Sequence, residues 1–480
     1  SDVGKSVICT ALCRCLSDRQ IAVAPFKAQN MSNNSGVTPE GLEMGRAQIV
    51  QAEAARIPPH VDMNPVLLKP TSEAGSQVVL LGKVLENASA VDYHRRKESL
   101  FAEAASALDR IRAGFDAVVM EGAGSCAEVN LMDQDIVNLR MAEYADASVI
   151  LVADIHRGGV FAQIVGTLAC LSAAQQERIK GLIINRFRGD IRLFQDGVRW
   201  LEKRTGKPVF GVLPWYEDIR IEPEDSVVIE SPRPSRSGGG PAVAVIRLPH
   251  ISNFNDFEPL HAVEGLEVLF LEKPQRLQGF SAVILPGSKN TRWDLNWLQE
   301  TGWVDPLVDF SRKGGVVLGI CGGYQMMGIR VCDPEGLEGR PGDSPGLGLL
   351  PVETVPKAPK TTTITRFSWE ATAGVGYEIH MGHTRRIEGD PLFAVTSRND
   401  RPADDADGTV FQDGRAMGTY IHGVFDTPEI LSRWLATIGC AGLRVPEAGG
   451  LQWRDSQYDR LAAHFQRFAD LPAIEALLNR

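Results

Sequence analysis

Residues 316–328, VVLGICGGYQMMG, decide the fold of the second half of this chain and indicate its chemistry. An apolar run typical of a buried strand ends at Cys321, and two glycines follow directly. A strand that turns sharply into a helix strains and exposes the corner residue, and small neighbours let that turn form. The helix dipole favours a thiolate at this place. The pattern predicts a cysteine nucleophile at residue 321, and a buried cysteine beside a glycine-rich turn is the alternative interpretation.

The composition is that of a globular protein with two or three domains, because 480 residues are too many for one core. The net charge of −10 argues against nucleic acid or an anionic membrane as a partner. None of the eight cysteines forms a C-x-x-C pair, which disfavours a zinc site or a disulfide framework, so we expect a cytoplasmic protein. The longest apolar runs are too short to span a membrane.

The order of apolar runs predicts an α/β fold with two doubly wound, mostly parallel-sheet domains and a C-terminal helical tail. The expected domains are 1–230 and 242–440, joined by a Pro-, Ser- and Gly-rich linker at 231–241 and followed by the tail at 441–480. The predicted strands are Ile21–Phe26, Asp116–Met120, Ser148–Ile155, Lys180–Phe187 and Pro208–Leu213, then Ala242–Leu248, Leu266–Leu271, Ala282–Pro286, Val316–Ile320 and Arg415–Ile421.

The first six residues, SDVGKS, precede an apolar, helix-like stretch and match the second half of a phosphate-binding loop. In such a loop Gly4 allows close backbone approach, Lys5 supplies a charge for phosphate oxygens, and Ser6 can hold Mg²⁺. The strand and first glycine that normally precede this motif are not in the chain, so we expect it to be truncated at its N-terminus. This expectation puts nucleotide binding by the chain in doubt.

Two acidic residues extend the predicted phosphate site. Glu121 stands at the C-terminal edge of a predicted strand, where ligands bind in open α/β sheets, and its carboxylate could complete a Mg²⁺ shell with Ser6. A helix-capping glutamate is the alternative. Asp135, in the polar segment NLMDQDIVN, could orient a substrate carboxylate or the metal, or could belong to a solvated loop or cap a helix.

His422 ends a predicted strand in the same domain as Cys321, so it is the expected base that withdraws the proton from the thiol. The segment ILPGSKNT follows another strand, and a backbone N–H near Gly287 could help to form an oxyanion hole. His380 and His383 are competing bases. With Glu378 they also suggest a metal site, which we consider the weaker interpretation.

The motifs GICGGYQMMG and YIHG resemble the glutamine amidotransferase domains of the class I superfamily. SDVGKS with EGAGS resembles the dethiobiotin-synthetase-like ATP-binding domain, which is a P-loop NTPase-like fold. Their fusion in this order resembles the cobyric acid synthase family over essentially the whole chain. The resemblance also rests on the motifs FKAQNMSNNS, EMGRAQ, NPVLLKP, ILVADIHRGGVFA, LPHISNFNDF, LPGSKNT and GYEIHMG.

This resemblance implies an enzyme of cobalamin biosynthesis that amidates four peripheral carboxylates of adenosylcobyrinic a,c-diamide with glutamine and ATP·Mg²⁺. Cobalt would be present only within the corrinoid substrate. Cys321 would release ammonia from glutamine through a thioester, with His422 as base. Lys5, Ser6 and Glu121 would serve ATP·Mg²⁺, and Asp135 lies in a motif implicated in the synthetase site.

One departure from related glutaminases concerns the expected base. Many of them carry His-x-Glu, where the glutamate orients the histidine, but here the second residue after His422 is Val424. The sequence therefore leaves the orienting group unassigned. The rival interpretations are a cobyrinate a,c-diamide synthase, a P-loop scaffold ATPase with a degenerate glutaminase, and a stand-alone cysteine hydrolase. The sequence does not indicate the oligomeric state or the corrin-binding residues.

Overall fold

The computed structural model describes residues 2–72, 75–216, 218–222 and 239–478. Most of the predicted linker, 231–238, lies outside the described residues, and so does Asn479 at the end of the predicted tail. In the described part of the chain, no helix combines the length and the apolar character that crossing a membrane requires.

The first half of the chain alternates strands with helices. Its strands are β1 (Val23–Phe26), β2 (Gln29–Met31), β3 (Ser35–Val37), β4 (Glu43–Gly45), β5 (Val66–Ser72), β6 (Gly75–Leu80), β7 (Lys83–Ser89), β8 (Ala117–Met120), β9 (Val149–Asp154), β10 (Ile179–Phe187) and β11 (Val209–Pro214). Its helices are α1 (Lys5–Asp18), α2 (Arg46–Ala54), α3 (Ala90–Arg112), α4 (Leu139–Tyr144), α5 (Val160–Cys170), α6 (Ala173–Arg178) and α7 (Gln195–Thr205).

The five apolar runs predicted in this half are strands β1, β8, β9, β10 and β11. β1 pairs with β8, and β10 lies between β9 and β11, with every pair parallel. Parallel neighbours require crossover connections, which the intervening helices supply. The α/β architecture predicted for this half is therefore confirmed.

The segment between β1 and α3 contains structure that the sequence did not predict. Strands β2, β5, β6 and β7 form a second sheet, and β3 and β4 form a hairpin. The strands β2, β3 and β4 have only three residues each and carry polar side chains, so they lack the apolar alternation by which strands are recognised.

The second half begins a new series of elements. Its strands are β12 (Ala242–Ile246), β13 (Ile251–Ser252), β14 (Glu267–Leu271), β15 (Ala282–Leu285), β16 (Gly287–Ser288), β17 (Val316–Ile320), β18 (Arg330–Asp333), β19 (Gly342–Pro345), β20 (Val352–Trp369), β21 (Thr372–Arg386), β22 (Phe393–Arg398), β23 (Arg401–Asp407), β24 (Thr409–Phe411) and β25 (Ala416–Thr419). Its helices are α8 (Glu258–His261), α9 (Thr291–Glu300), α10 (Val304–Arg312), α11 (Gly322–Met327), α12 (Pro428–Thr437), α13 (Gly450–Phe468) and α14 (Leu471–Glu475).

The central sheet of this half has the strand order β14-β12-β15-β17-β25-β24. Its first five strands are the five predicted ones and are parallel, whereas β24 joins antiparallel to β25. Strands β17 and β25 are neighbours, and Cys321 and His422 follow them in the chain. Both residues therefore lie at the carboxyl edge of the sheet, where open α/β folds bind ligands.

A mixed sheet of β18 to β23, in which β18 and β20 are parallel and the other pairs are antiparallel, was not predicted. Its longest element is the ribbon of β20 and β21, which pairs from Val352 with Arg386 to Trp369 with Thr372. This ribbon also contacts β3 of the first half, so it brings the two halves together.

The C-terminal helices α13 and α14 pack on the first half of the chain rather than on the half that precedes them. Leu461 and Phe465 share one buried cluster with Ile8 and Leu12 of α1. An amphipathic helix needs an apolar partner surface, and here that surface is distant in sequence. The helical character of the tail was predicted, but its place in the fold was not.

Candidate active sites

Cys321 lies at a strained corner between β17 and α11. Its backbone has φ 52° and ψ −107°, which is unusual for a residue with a side chain. The turn is close to its neighbours, since a Cβ at Gly323 would lie 1.9 Å from the carbonyl oxygen of Leu285, and one at Gly322 would lie 2.8 Å from the backbone nitrogen of Ser288. The two glycines that follow Cys321 are therefore required by packing.

The Cys321 side chain lies close enough to His422 to raise the pKa of the imidazole, and Nδ1 of His422 has a carboxylate partner. Nδ1 lies 2.7 Å from Oδ2 of Asp256, and both side chains are buried. Oδ1 of Asp256 accepts a hydrogen bond from the backbone N–H of Gly423 at 2.9 Å, which fixes the carboxylate relative to the histidine. Cys321, His422 and Asp256 thus form a Cys–His–Asp arrangement.

Asp256 also controls the charge of His422. Burial by itself would lower the pKa of His422, but the negative charge and the hydrogen bond of Asp256, followed by the contact with Cys321, raise it to about 10. At neutral pH the imidazole is therefore protonated, and it can give a proton to a leaving group.

Tyr377 packs against the ring of His422 and its backbone. The two rings are stacked with centroids 5.3 Å apart, and the two residues exchange backbone hydrogen bonds of 3.1 and 2.8 Å. The Tyr377 hydroxyl accepts hydrogen bonds from Asn253 at 3.2 Å and from Asn255 at 3.5 Å. These contacts restrict the orientation of the imidazole ring.

Gly287 lies against His422 in the short strand β16. A Cβ at this glycine would lie 3.0 Å from Cε1 of His422 and 3.0 Å from Oγ of Ser252, so a larger residue would press on the base. The structure places Gly287 at the site, and its role in an oxyanion hole stays a prediction.

The competing histidines are differently placed. Nε2 of His380 lies 3.2 Å from Glu378, Nδ1 lies 3.0 Å from the carbonyl oxygen of Gly382, and the ring stacks on Tyr420. Both ring nitrogens of His380 are thus engaged away from Cys321, and His383 is exposed. Among the described residues, no group of three or more histidines, cysteines and acids is arranged to hold a metal ion.

The phosphate loop lies at the start of α1. Gly4 has φ 88°, and the space beside it is filled by the Asn185 side chain, whose nitrogen would lie 2.3 Å from a Cβ at this glycine. Lys5 and Ser6 occupy the first turn, so their backbone N–H groups point toward the N-terminal end of a helix of 14 residues. The Lys5 ammonium donates to the carbonyl oxygen of Gly124 at 3.1 Å.

Glu121 lies directly beside this turn and is surrounded by donors. Its Oε1 accepts hydrogen bonds from the Ser6 hydroxyl at 2.9 Å and from the Lys27 ammonium at 2.8 Å, and its Oε2 accepts from Gln51 at 2.6 Å. Lys27 and Glu121 are both buried. The structure therefore brings the predicted residues Ser6 and Glu121 together and adds a second lysine.

The donor chemistry of Ser6 and Glu121 is compatible with a magnesium ion, because a hydroxyl and a carboxylate are oxygen ligands that Mg²⁺ accepts. The hydrogen bond between the two side chains keeps these oxygens together at the start of α1.

Asp135 is engaged with its own backbone. Its carboxylate accepts hydrogen bonds from the N–H groups of Val137 at 2.9 Å and Asn138 at 3.0 Å, just before α4. Asn138 in turn donates to the carbonyl oxygen of Ala123, two residues after Glu121. Asp135 thus anchors the loop that precedes α4, and its role in the synthetase reaction stays a prediction.

Comparison with known proteins matches both halves of the chain. The family model for the CobQ/CobB/MinD/ParA nucleotide binding domain matches residues 1–227, and the model for the CobB/CobQ-like glutamine amidotransferase domain matches residues 242–430. A cobyric acid synthase from Chlorobium phaeobacteroides is 51% identical over 488 residues, covering 100% of this chain and 96% of that protein. The chain belongs to the cobyric acid synthase family. Two further cobyric acid synthases are similar to the chain. That of Chlorobaculum tepidum is 49% identical, covering 99% of this chain and 96% of that protein. That of Bacteroides fragilis is 46% identical, covering 100% of this chain and 97% of that protein.

Two functional candidates, Asp256 and Lys27, were not singled out from the sequence. Asp256 lies in LPHISNFNDF and Lys27 in FKAQNMSNNS, which are both motifs on which the resemblance to the cobyric acid synthase family rests. The signal was therefore present as a motif, but the partners of each residue, His422 and Glu121, are distant in sequence.

Proposed function

We propose that this chain converts adenosylcobyrinic a,c-diamide to adenosylcobyric acid by amidating four peripheral carboxylates, with glutamine and ATP·Mg²⁺ as co-substrates. The observation that supports this most is the combination of a buried Cys–His–Asp arrangement and a separate phosphate loop with a buried carboxylate, in a family of cobyric acid synthases. The first arrangement suits release of ammonia from glutamine, and the second suits activation of a carboxylate by ATP.

In the glutaminase half, His422 holds the proton withdrawn from Cys321 as an imidazolium, and the Cys321 thiolate attacks the γ-carbonyl carbon of glutamine. A backbone N–H near Gly287 stabilises the oxyanion. The His422 imidazolium then protonates the leaving nitrogen, ammonia departs, and a γ-glutamyl thioester remains on Cys321. Water hydrolyses the thioester to glutamate, with His422 as base. Asp256 stabilises the imidazolium and keeps Nε2 directed at the thiol.

In the synthetase half, the substrate carboxylate attacks the γ-phosphorus of ATP and releases ADP, so that an acyl phosphate forms. Ammonia then attacks the acyl carbon, and the amide forms as phosphate leaves. Lys5 and the N-terminus of α1 hold phosphate oxygens, and Lys27 offers a second positive charge. Ser6 and Glu121 would hold Mg²⁺, which would neutralise charge on the phosphates.

The nearest rival is a cobyrinate a,c-diamide synthase, and identities of 46 to 51% to cobyric acid synthases argue against it. A scaffold ATPase with a degenerate glutaminase would have no need of the Cys–His–Asp arrangement. A stand-alone cysteine hydrolase would have no need of Glu121 and its three close donors.

The test is mass spectrometry of the corrinoid after incubation with glutamine, ATP and Mg²⁺. Adenosylcobyrinic a,c-diamide should gain four successive amidations. Amidation that begins from cobyrinate and stops at the diamide would instead favour the rival enzyme, and glutaminase activity without any corrinoid product would contradict the proposal.

A further inference from the structure

A buried group of charges lies where the two halves of the chain meet. Glu43 accepts hydrogen bonds from Lys69 at 2.7 Å and from Lys360 of β20 at 2.6 Å, and Lys69 also donates to the Ser35 hydroxyl at 2.7 Å. Lys69 and Glu43 are almost fully buried, and Lys360 is largely so. Glu43 thus already has two cations as partners.

A third lysine, Lys289, lies within electrostatic range of this group. Its side chain is partly buried, and no side chain or carbonyl group among the described residues forms an ion pair or hydrogen bond with its ammonium. Burial, together with the charges of Lys360 and Lys69, lowers the pKa of Lys289 to about 7, although nearby carboxylates oppose this shift.

The lysines lie beside the thiol site. Lys69 is within electrostatic range of Cys321. Lys289 follows Gly287 and Ser288, of which the first touches His422 and the second packs on Gly322, the residue after Cys321. The side chain of Lys289 therefore originates at the wall of the glutaminase site.

The cluster has more positive than negative charge, with three lysines around one carboxylate. The next acid within range of Lys289 is Glu338, whose carboxylate accepts a hydrogen bond from the backbone N–H of Arg292 at 3.0 Å. Burial raises the pKa of Glu338, so it is a weak counter-charge. Because uncompensated buried charge is costly, the cluster suits the binding of an additional anion.

We propose that the Lys289 ammonium, with Lys69 and Lys360 behind it, binds the α-carboxylate of glutamine while Cys321 attacks the γ-amide. The α-carboxylate carbon of an extended glutamine lies roughly 5 Å from the amide carbon, given C–C bonds of about 1.5 Å. Lys289 follows Gly287 by two residues, so its side chain begins close to the reacting end of such a substrate. Because Lys69 and Glu43 are almost completely buried, the cluster favours a small amino acid over a corrin carboxylate as its ligand.

This inference rests on the proposed glutaminase activity, and its test compares two substrates. 4-Aminobutanamide has the amide and amine of glutamine but no α-carboxylate. We expect the wild-type chain to prefer glutamine by kcat/KM, and Lys289→Met to lose about 10- to 150-fold with glutamine, the range for one charge-assisted hydrogen bond. The same variant should change little with 4-aminobutanamide. Lys289→Arg should restore part of the preference.

Lys313→Met is the matched control, because this exposed lysine at the C-terminal end of α10 pairs only with Asp309 in the described structure. Amidation from ammonium salts should be normal in each variant, which shows that the fold and the synthetase site are intact. An unchanged preference for glutamine in Lys289→Met would overturn the inference. A wild-type chain that hydrolyses no glutamine would instead contradict the proposed function.

Discussion

In the candidate phosphate site, Gly4, Lys5 and Ser6 come from one loop and one helix. In the Cys–His–Asp site, Cys321 and Asp256 converge on His422 from separate segments, and the aspartate and the histidine are 166 positions apart in the sequence. The first site can be recognised from a short motif because local backbone geometry creates it. The second depends on strand order, since β17 and β25 must be neighbours. A mutation at one site should therefore impair the reaction at that site and leave the reaction at the other site intact.

The largest effect should come from Cys321→Ala. Removal of the nucleophile should reduce glutamine-dependent amidation on the order of 10⁴-fold or more. Amidation with added ammonium salts should be retained, because we propose that ATP reacts at the other site, in the nucleotide-binding half. The measurement is the rate of corrinoid amidation with each nitrogen source. Equal loss with both sources, in a folded protein, would show that the sites are not separate.

His422→Asn should slow thioester formation by about 10²–10⁴-fold, the usual cost of losing a general base. His380→Asn is the control and should cost much less, because both nitrogens of His380 are engaged with Glu378 and Gly382. Covalent capture of a glutamine-like electrophile measures the step directly. Comparable losses in the two variants would show that the assignment of His422 as the base is wrong.

Asp256→Asn keeps the shape of the side chain and removes its charge, so it tests the arrangement more finely. The pKa of His422 should fall, and the alkaline limb of kcat/KM for glutamine should move to lower pH, with roughly a 10- to 150-fold loss at neutral pH. The raised pKa of His422 stabilises the folded state fully at pH values below the unfolded-state pKa of about 6.5. This stabilisation is lost as the pH rises through about 10. Urea unfolding should accordingly show a larger penalty at pH 6 than at pH 10. An unshifted pH profile would leave Asp256 without a role in the charge of His422.

The smallest effect should come from Asp135→Asn, which we expect to lower amidation while leaving glutamine hydrolysis intact. Its carboxylate already accepts backbone N–H groups, and asparagine caps about as well as aspartate. Any loss of amidation would therefore come from the missing negative charge rather than from a changed loop structure. The rate is measured at saturating ATP and Mg²⁺, and a wild-type rate would reduce Asp135 to a structural residue.

Much of the architecture was predictable because it depends on patterns within short segments of the sequence. Buried parallel strands are continuous apolar runs, so β17 and the four strands parallel to it in the sheet could be predicted from the sequence, and the elbow at Cys321 follows from the glycines around it. The ribbon of β20 and β21 was missed because its exposed and buried residues alternate only in part, and it contains many polar threonines.

The sequence by itself determined the α/β class and indicated the candidate phosphate loop, Cys321 and His422, because each of these signals depends on neighbours within a few residues. Only the tertiary structure decided that Asp256 orients His422, that Lys27 pairs with Glu121, and that α13 packs on α1. These are contacts between segments distant in the chain. Their pairing depends on strand order and on the burial of charges that must find partners, and no local pattern encodes either one.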